Sequence, residues 1–193
     1  SWLMHGNLVS LRPLEISDAQ KLWDLIGDDT DTWKWVGSGA PVPASANDLH
    51  NEFLRKINRP DSEYFVIIDK VTGTVIGSTA YLDIREEDCH FEIGSTFIAP
   101  TFRGGNRNIE AKYLMLTEAF ENRGAVRITI KANASNLRSR KAIEKIGAKL
   151  EGLLRNQRQE RDGTWRTAAY HSVIVEDWPE TKAKLEKLLS LEN

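Results

Sequence analysis

The 193-residue sequence contains a single cysteine, Cys89, and this scarcity excludes two architectures. A disulfide framework within the chain needs paired cysteines, and a cysteine-based zinc cluster needs several. A chain without disulfides fits a reducing compartment, so we expect a cytoplasmic protein in which Cys89 is an inert strand residue rather than a nucleophile. His5, His50 and His171 are scattered, without a cysteine or carboxylate at ligand spacing, so no metal site is predicted.

Long apolar runs and an excess of one charge are also missing. No stretch approaches the ~20 apolar residues of a membrane-spanning helix, and the first six residues lack the basic-then-apolar pattern of an export signal. With 26 basic and 28 acidic residues the formal net charge is −2, so no long-range field draws the chain to nucleic acid or to an anionic membrane. We therefore expect a soluble protein with no membrane partner and no direct nucleic-acid binding.

Hydrophobic periodicity predicts strands and helices within one domain over residues 1–193. Ser17 and Gln20 are spaced as a capping box, which predicts a helix from there to Gly27, and residues 28–43 are interpreted as a loop or short helix. The other predicted elements are strands at 8–14, 64–68, 75–82, 91–98, 127–132, 148–158 and 165–175, and helices at 45–57, 109–124, 136–146 and 178–190. This order favours an α/β (α+β) fold with one mixed sheet.

The segment 97–112 carries the clearest chemical signal, an apolar strand followed by a Gly/Asn-rich turn and a strong helix. The first turn of a helix leaves N–H groups unpaired beside the positive end of its dipole, so the amides of residues 104–109 could hold a pyrophosphate. Arg103 and Arg107 add cationic donors. A helix cap without a ligand is the alternative. The common nucleotide motifs Gly-x-x-x-x-Gly-Lys-Ser/Thr and Gly-x-Gly-x-x-Gly are absent.

Several short motifs occur in a characteristic order along nearly the whole chain. They are Gly6-Asn7-Leu8-Val9-Ser10-Leu11-Arg12-Pro13-Leu14, Glu92-Ile93-Gly94, Arg103-Gly104-Gly105, the run 136–148, Glu151-Gly152-Leu153-Leu154-Arg155 and Asp162-Gly163. Together with the order of elements, they resemble the GNAT superfamily of acyl-CoA N-acyltransferases, and more closely its branch of ribosomal-protein N-terminal acetyltransferases.

The resemblance implies a splayed, largely antiparallel mixed sheet flanked by helices, with acetyl-CoA in the cleft. The pantetheine arm would pair with the backbone at 97–99 like an added strand, and the pyrophosphate would sit on the amides of 104–109. The family loop usually reads Arg/Gln-x-x-Gly-x-Gly/Ala, and Asn106 and Asn108 stand here at its two small positions. The cofactor-binding residues implied in this way are Phe97, Ile98, Ala99, Arg103, Gly104, Gly105, Asn106, Arg107, Asn108, Ile109, Asn136 and Ser139.

Attack of an amine on a thioester needs a base for the amine, a donor for the developing oxyanion and an acid for the departing thiolate. The resemblance assigns the base to Glu92, acting directly or through water; a structural strand carboxylate is the alternative. His90, expected on the same face, is a second candidate. A backbone N–H near Ile98 is the implied oxyanion donor. Many family members use a tyrosine as the acid where Ile143 stands here, so Ser139 is the candidate acid, unless its hydroxyl merely bonds the helix backbone.

The predicted function is transfer of an acetyl group from acetyl-CoA to a primary amine on a protein N-terminus or a small molecule, by direct attack in a ternary complex. The alternative is a non-catalytic CoA-binding sensor or partner-binding protein of the same fold, which the missing tyrosine favours. Acceptor identity is expected to lie in residues 28–62 and near 156–166, where Trp33, Trp35 and Trp165 either bound a pocket or pack loops. Monomer and homodimer both stay open, as does the identity of the acyl group.

Overall fold

The computed structural model describes residues 3–34 and 41–190, so Trp35 lies outside the described residues. The strands are β1 (Met4–His5), β2 (Val9–Pro13), β3 (Glu63–Asp69), β4 (Val75–Arg85), β5 (His90–Ile98), β6 (Arg127–Asn133), β7 (Lys149–Gln159) and β8 (Trp165–Ile174). The helices are α1 (Asp18–Ile26), α2 (Thr30–Trp33), α3 (Ala46–Ile57), α4 (Arg107–Thr117), α5 (Leu137–Lys145) and α6 (Trp178–Ser190).

Eight strands form one sheet in the order β1-β2-β3-β4-β5-β6-β8-β7. Neighbouring strands are antiparallel except for β5 and β6, which run parallel. The prediction of a mixed, largely antiparallel sheet flanked by helices is therefore confirmed. Within residues 3–34 and 41–190, no helix combines the length and the apolar character needed to cross a membrane.

The parallel strands β5 and β6 pair briefly and then part. Their register ends at the pair Glu92 and Thr129. Just beyond, Ser95 and Thr96 of β5 oppose the single residue Thr79 of β4, and Ser95 has a φ of 50°. An extra residue of this kind is a β-bulge, which bends the strand that carries it. The bulge thus accounts for the fork between β5 and β6, the splay that the resemblance implies.

Each face of the sheet has its own hydrophobic core. Helices α4, α5 and α6 contribute to the larger core. Helices α1 and α3 contribute to the smaller core on the opposite face. Trp33 belongs to the smaller core, where it is fully buried and stacks on Trp23 with ring centres 5.5 Å apart. Its Nε1 donates to the carbonyl of Gly27 at 2.6 Å. Trp33 therefore packs the loop onto the core, whereas Trp165 is exposed.

The predicted capping box of α1 does not form. Ser17 makes no side-chain capping bond and Gln20 bonds elsewhere on the helix. The buried carboxylate of Asp18 instead accepts from the N–H of Glu15 at 2.8 Å and from the guanidinium of Arg12 through two bonds of 2.8 Å. Charge-assisted bonds to an ionised carboxylate are stronger than those to a serine hydroxyl, so Asp18 orders this helix start.

Three further details differ from the sequence predictions. Cys89 lies in the exposed turn between β4 and β5 with a φ of 55°, so its assignment to a strand is wrong. The helix predicted over 109–124 begins at Arg107, and its α-helical part ends at Thr117, after which a π-helical turn, Glu118–Asn122, continues it. Strand β1 has only two residues, too few for alternation to reveal it.

Candidate active site

The loop between β5 and α4 presents a row of free backbone donors. None of the six N–H groups of residues 104–109 donates to another described residue. Gly104 and Gly105 have φ angles of 86° and 61°, which residues with a Cβ rarely adopt. The donors precede or begin α4, an 11-residue helix. Unpaired N–H groups at the positive end of a helix form an anion-binding site of the kind that the sequence predicts.

The two arginines of this loop are engaged with the protein itself. Arg103 donates through Nε to the carbonyl of Ile98 at 2.9 Å and through Nη2 to Oγ1 of Thr32 at 2.9 Å. Arg107 donates through Nε to Oδ1 of Asp69 at 2.9 Å. The loop therefore offers a phosphate main-chain donors, while its cations are held by other contacts.

The two asparagines at the small positions of the family loop are accommodated in different ways. Asn106 is 6% exposed, and its Nδ2 donates to the carbonyl of Leu188 in α6 at 3.1 Å. Its side chain thus ties the loop to α6. Asn108 is exposed and borders the cleft described next. Neither side chain blocks the free N–H row with a hydrogen bond.

A cleft of about 410 Å³, called here the cofactor cleft, opens between the far half of β5, the loop and the start of α5. Its lining residues are Thr96, Phe97, Ile98, Phe102, Arg103, Gly104, Gly105, Asn108, Asn136, Arg138 and Ser139. Of the predicted cofactor residues, Ala99, Asn106, Arg107 and Ile109 do not line it. Free main-chain donors and an open strand edge in one cleft fit the diphosphate and pantetheine parts of coenzyme A.

The start of α5 brings two candidates to the cofactor cleft. Asn136 caps the helix, since its Oδ1 accepts from the N–H of Ser139 at 3.1 Å. The hydroxyl of Ser139 has no hydrogen-bond partner among the described residues, so the alternative in which it bonds the backbone is not seen. Ile143, at the place of the usual tyrosine, is 4% exposed and belongs to the larger core. No hydroxyl replaces the tyrosine there.

The edge of β5 that faces the fork carries the candidate backbone donor for the developing oxyanion. The N–H of Ala99 donates to the carbonyl of Ile76 on β4 at 2.7 Å. Because the N–H groups of successive strand residues point to opposite sides, the N–H of Ile98 is directed away from β4 and towards the cleft. This direction agrees with the predicted oxyanion donor.

Glu92 is the last residue of β5 to pair with β6, so it stands where the fork opens. Its side chain is 13% exposed, and its Oε1 lies 2.9 Å from Nζ of Lys131 on β6. Lys131 Nζ in turn lies 5.0 Å from the ring centre of Tyr170 on β8. We call Glu92, Lys131 and Tyr170 the base cluster.

The electrostatics of the base cluster favour a proton acceptor. Burial raises the pKa of Glu92, and the positive charge of Lys131 offsets that rise only in part. Burial lowers the pKa of Lys131, but Glu92 and Tyr170 more than compensate, so that its pKa is raised. The pair therefore consists of a charged lysine and a carboxylate that binds a proton more readily than an exposed glutamate does.

Two neighbours complete the surroundings of Glu92. A Cβ built on Gly94 would lie 2.9 Å from Cδ1 of Leu82 and 3.1 Å from Oε2 of Glu92, so a larger residue there would displace one of these side chains. His90 shares the face of Glu92, because Phe91 and Ile93 between and beyond them enter the larger core. Its Nε2 lies 3.8 Å from Asp88, and no hydrogen bond joins it to Glu92.

Sequence reasoning missed Lys131 and Tyr170. The alternation of Ile128, Ile130 and Ala132 along β6 already indicates that Lys131 faces away from the larger core. The missing information is the register between the parallel strands, which no local pattern contains. Thr96, Phe102 and Arg138 of the cofactor cleft were likewise not predicted.

Comparison with known proteins decides the family. The sequence model of the family described as "Acetyltransferase (GNAT) domain" matches residues 9–149. The chain belongs to the GNAT family of acetyltransferases. A GCN5-related N-acetyltransferase from Brucella melitensis superposes with a TM-score of 0.90 at 25% identity, over 100% of this chain and 87% of that one. A structure described as an acetyltransferase from T. thermophilus has a TM-score of 0.86 at 31% identity, over 98% and 97% of the two chains.

A curated relative agrees with this assignment. The uncharacterized N-acetyltransferase YnaD of Bacillus subtilis (strain 168) is 23% identical over 168 residues, which cover 87% of this chain and 94% of YnaD. GNAT acetyltransferases use acetyl-CoA, and the free donors of the cofactor cleft fit that co-substrate. Across residues 3–34 and 41–190, no group of three or more His, Cys, Asp or Glu side chains could hold a metal ion.

Proposed function

We propose that this chain transfers an acetyl group from acetyl-CoA to a primary amine of a protein N-terminus or a small molecule, by direct attack in a ternary complex. The observation that carries the proposal is the position of Glu92. This partly buried carboxylate, whose pKa is raised, stands at the fork from which the cofactor cleft extends. A base is needed at that point, because an ammonium group cannot attack a thioester.

Each step has a candidate group. Glu92 accepts the proton of the attacking amine, directly or through water, as the N–C bond forms. The N–H of Ile98 stabilises the carbonyl oxygen while it carries negative charge. As the C–S bond breaks, Ser139 Oγ passes a proton to the thiolate and regains one from solvent; its free hydroxyl at the cleft wall supports this role. Lys131 acts as a positioning residue, since its ion pair holds Glu92 ionised and oriented.

The resemblance also bears on the class of amine that accepts the acetyl group. The motifs shared with the ribosomal-protein branch favour a protein N-terminus, and small-molecule amines are the other candidates. A CoA-binding sensor without turnover is the competing function. It is favoured by Ile143, which is buried at the place of the usual acid. Cytoplasmic location and homodimer formation stay predictions.

Thiol release separates the two functions. Acetyl-CoA is incubated with the protein and a panel of peptides and small amines, and free CoA thiol is measured against a protein-free blank. The acetyltransferase is expected to accelerate release with at least one amine and to lose that acceleration in Glu92→Gln. Tight CoA binding without release for any amine would establish the sensor instead.

A further inference from the structure

Two arginines face each other across the last two strands of the sheet. In the antiparallel register of β7 and β8, Arg158 is directly opposite Arg166. Like charges directly opposite on neighbouring strands are destabilising, so an anion bound between them would relieve the repulsion. Arg158 and Arg166 are called here the arginine pair.

The described residues provide little compensation for the arginine pair. Nε of Arg158 is buried without a hydrogen-bond partner, and the nearest carboxylate, that of Glu160, lies 3.9 Å from its Nη2. Arg166 donates one bond, from Nε to Oε1 of Gln157 at 3.1 Å. A guanidinium has five N–H donors, so most donors of the pair stay free. Burial first, and the charge of Arg158 second, lower the pKa of Arg166, while the charges of Glu160 and Glu92 act in the opposite direction.

The arginine pair lies on the same face of the sheet as the base cluster. Arg166 and Tyr170 are four residues apart on β8, so their side chains share a face, and Tyr170 faces Lys131 of the base cluster. The charges of Arg166 and Glu92 influence each other. Four residues of strand span roughly 13 Å, and the long arginine side chains shorten the distance to the base.

An open cavity of about 970 Å³ reaches the base cluster at Tyr170 and lies next to the arginine pair through Gln157, without either arginine of the pair in its lining. Its lining residues are Leu153, Leu154, Arg155, Asn156, Gln157 and Tyr170. Gln157 touches Arg166, and Tyr170 belongs to the base cluster. The lining includes a third arginine and no carboxylate, so the cavity suits an anionic group and disfavours a cationic one.

The acids of this region are otherwise engaged. Glu92 is paired with Lys131 at 2.9 Å, and Asp83 lies 3.7 Å from Arg85. Besides Glu92, the described residues place one further acid beside the arginine pair, Glu160, at a distance too long for a hydrogen bond. One loosely placed carboxylate does not balance two guanidinium groups.

We propose that the acceptor carries a carboxylate or a phosphate beyond its reacting amine, that the arginine pair binds this group, and that polyamines are poor acceptors for the same reason. The proposal rests on the proposed acetyl transfer for the role of Glu92. The arginine pair itself is a binding site that can be measured without turnover.

A series of linear amines tests charge and spacing together. Primary amines of increasing chain length end in a carboxylate, a phosphate, a neutral amide or a second amine, and acetyl-CoA-dependent thiol release is measured with each. We expect the anionic amines to react best, with a length optimum that reports the distance between base and arginines. The carboxylate and phosphate arms identify which anion is preferred.

Variants assign the effect to the arginine pair. Arg158→Gln and Arg166→Gln are each expected to raise KM for the best anionic amine about tenfold, with little change in kcat and no change for the neutral amide. Arg166→Glu is expected to turn the preference towards diamines. Lys184→Gln, which removes an exposed charge on α6, is the matched control and leaves KM unchanged.

Binding is measured separately from turnover. Calorimetry of the CoA-saturated protein with an aminoalkyl phosphate and with inorganic phosphate is expected to show affinity that falls in both arginine variants. Thiol release without preference for anionic amines, or anion binding that is unchanged in both variants, would overturn the proposal and leave acetyl transfer standing. Arginine-dependent anion binding without thiol release for any amine would overturn acetyl transfer and leave the anion site standing.

Discussion

The two ends of the proposed active site offer donors for an anion from different parts of the chain. At the loop 104–109 the donors are backbone N–H groups, while the nearby cations Arg103 and Arg107 are bound to other residues. On the opposite side of the fork, most side-chain donors of the arginine pair have no partner among the described residues. A main-chain site tolerates substitutions such as Asn106 and Asn108, whereas a side-chain site changes its ligand with each substitution. Cofactor use should therefore be robust and acceptor choice easily altered.

The largest effect on kcat is expected from a substitution of Glu92, where the two ends meet. Glu92→Gln keeps the shape of the side chain and removes the base, so kcat should fall by about 10²–10⁴-fold. CoA affinity should stay close to that of the parent, because Glu92 does not line the cofactor cleft. Steady-state kinetics and calorimetry on the same preparation check both statements. A variant with parental kcat would assign the base elsewhere.

The free energy of unfolding tests how closely β4 approaches β5 at the edge of the cofactor cleft. A Cβ on Gly77 would lie 2.1 Å from the carbonyl oxygen of Phe97, so Gly77→Ala must displace β5. We expect a loss of about 1–3 kcal/mol in the free energy of unfolding, together with weaker CoA binding. Gly152→Ala is the control, since nothing lies within 4 Å of its Cβ. Equal urea midpoints for the two variants would contradict the close approach.

The main-chain end is probed by deleting one donor. Asn108→Pro removes an N–H in the first turn of α4, where proline is tolerated, and should weaken CoA binding about tenfold. Asn108→Ala keeps the N–H and should leave the dissociation constant nearly unchanged. Melting temperatures show whether both variants fold. Equal losses in the two variants would mean that the asparagine side chain, not the backbone, holds the phosphate.

Removal of the Ser139 hydroxyl, the candidate acid for the departing thiolate, is expected to have a smaller effect. Ser139→Ala should lower kcat several-fold up to about tenfold, because water can partly replace a hydroxyl that lines an open cleft. Ser135→Ala is the control, since its exposed hydroxyl donates to Oδ1 of Asn133 at 2.9 Å outside the cleft. A larger loss with Ser135→Ala would exclude the role given to Ser139.

The smallest effect concerns pH. Because burial raises the pKa of Glu92, kcat/KM should fall with decreasing pH at a higher pH than for an exposed glutamate. Lys131→Gln removes the charge that favours the ionised carboxylate, so this acidic limb should move to higher pH. The acceptor amine titrates equally in both proteins. An acidic limb that moves to lower pH in Lys131→Gln would contradict the claim that the ion pair favours the ionised form of Glu92.

Local patterns predict most of the fold. The β3–β4 hairpin follows from alternation around Gly73, whose φ is 70°, and α5 from Asn136 and Gly147 at its ends. The loop 104–109 is recognisable for the same reason, since its glycines and the following helix are contiguous in sequence.

The features that the sequence does not predict have a common physical cause, namely contacts between distant parts of the chain. Lys131 meets Glu92 only through the parallel register of β5 and β6, and Arg103 bonds Thr32, 71 positions earlier. Asp18 replaces Ser17 at the start of α1 because Arg12 comes from a neighbouring strand. The opposition of Arg158 and Arg166 depends on a register shift within β7.

Calorimetric titration with CoA and with pantetheine tests the central claim, that backbone N–H groups of residues 104–109 hold a diphosphate. Pantetheine shares the thiol arm and lacks the diphosphate together with the adenosine 3′-phosphate attached to it. We predict one CoA bound per chain, with pantetheine at least about tenfold weaker. No heat with CoA or acetyl-CoA, or equal affinity for CoA and pantetheine, would contradict the account.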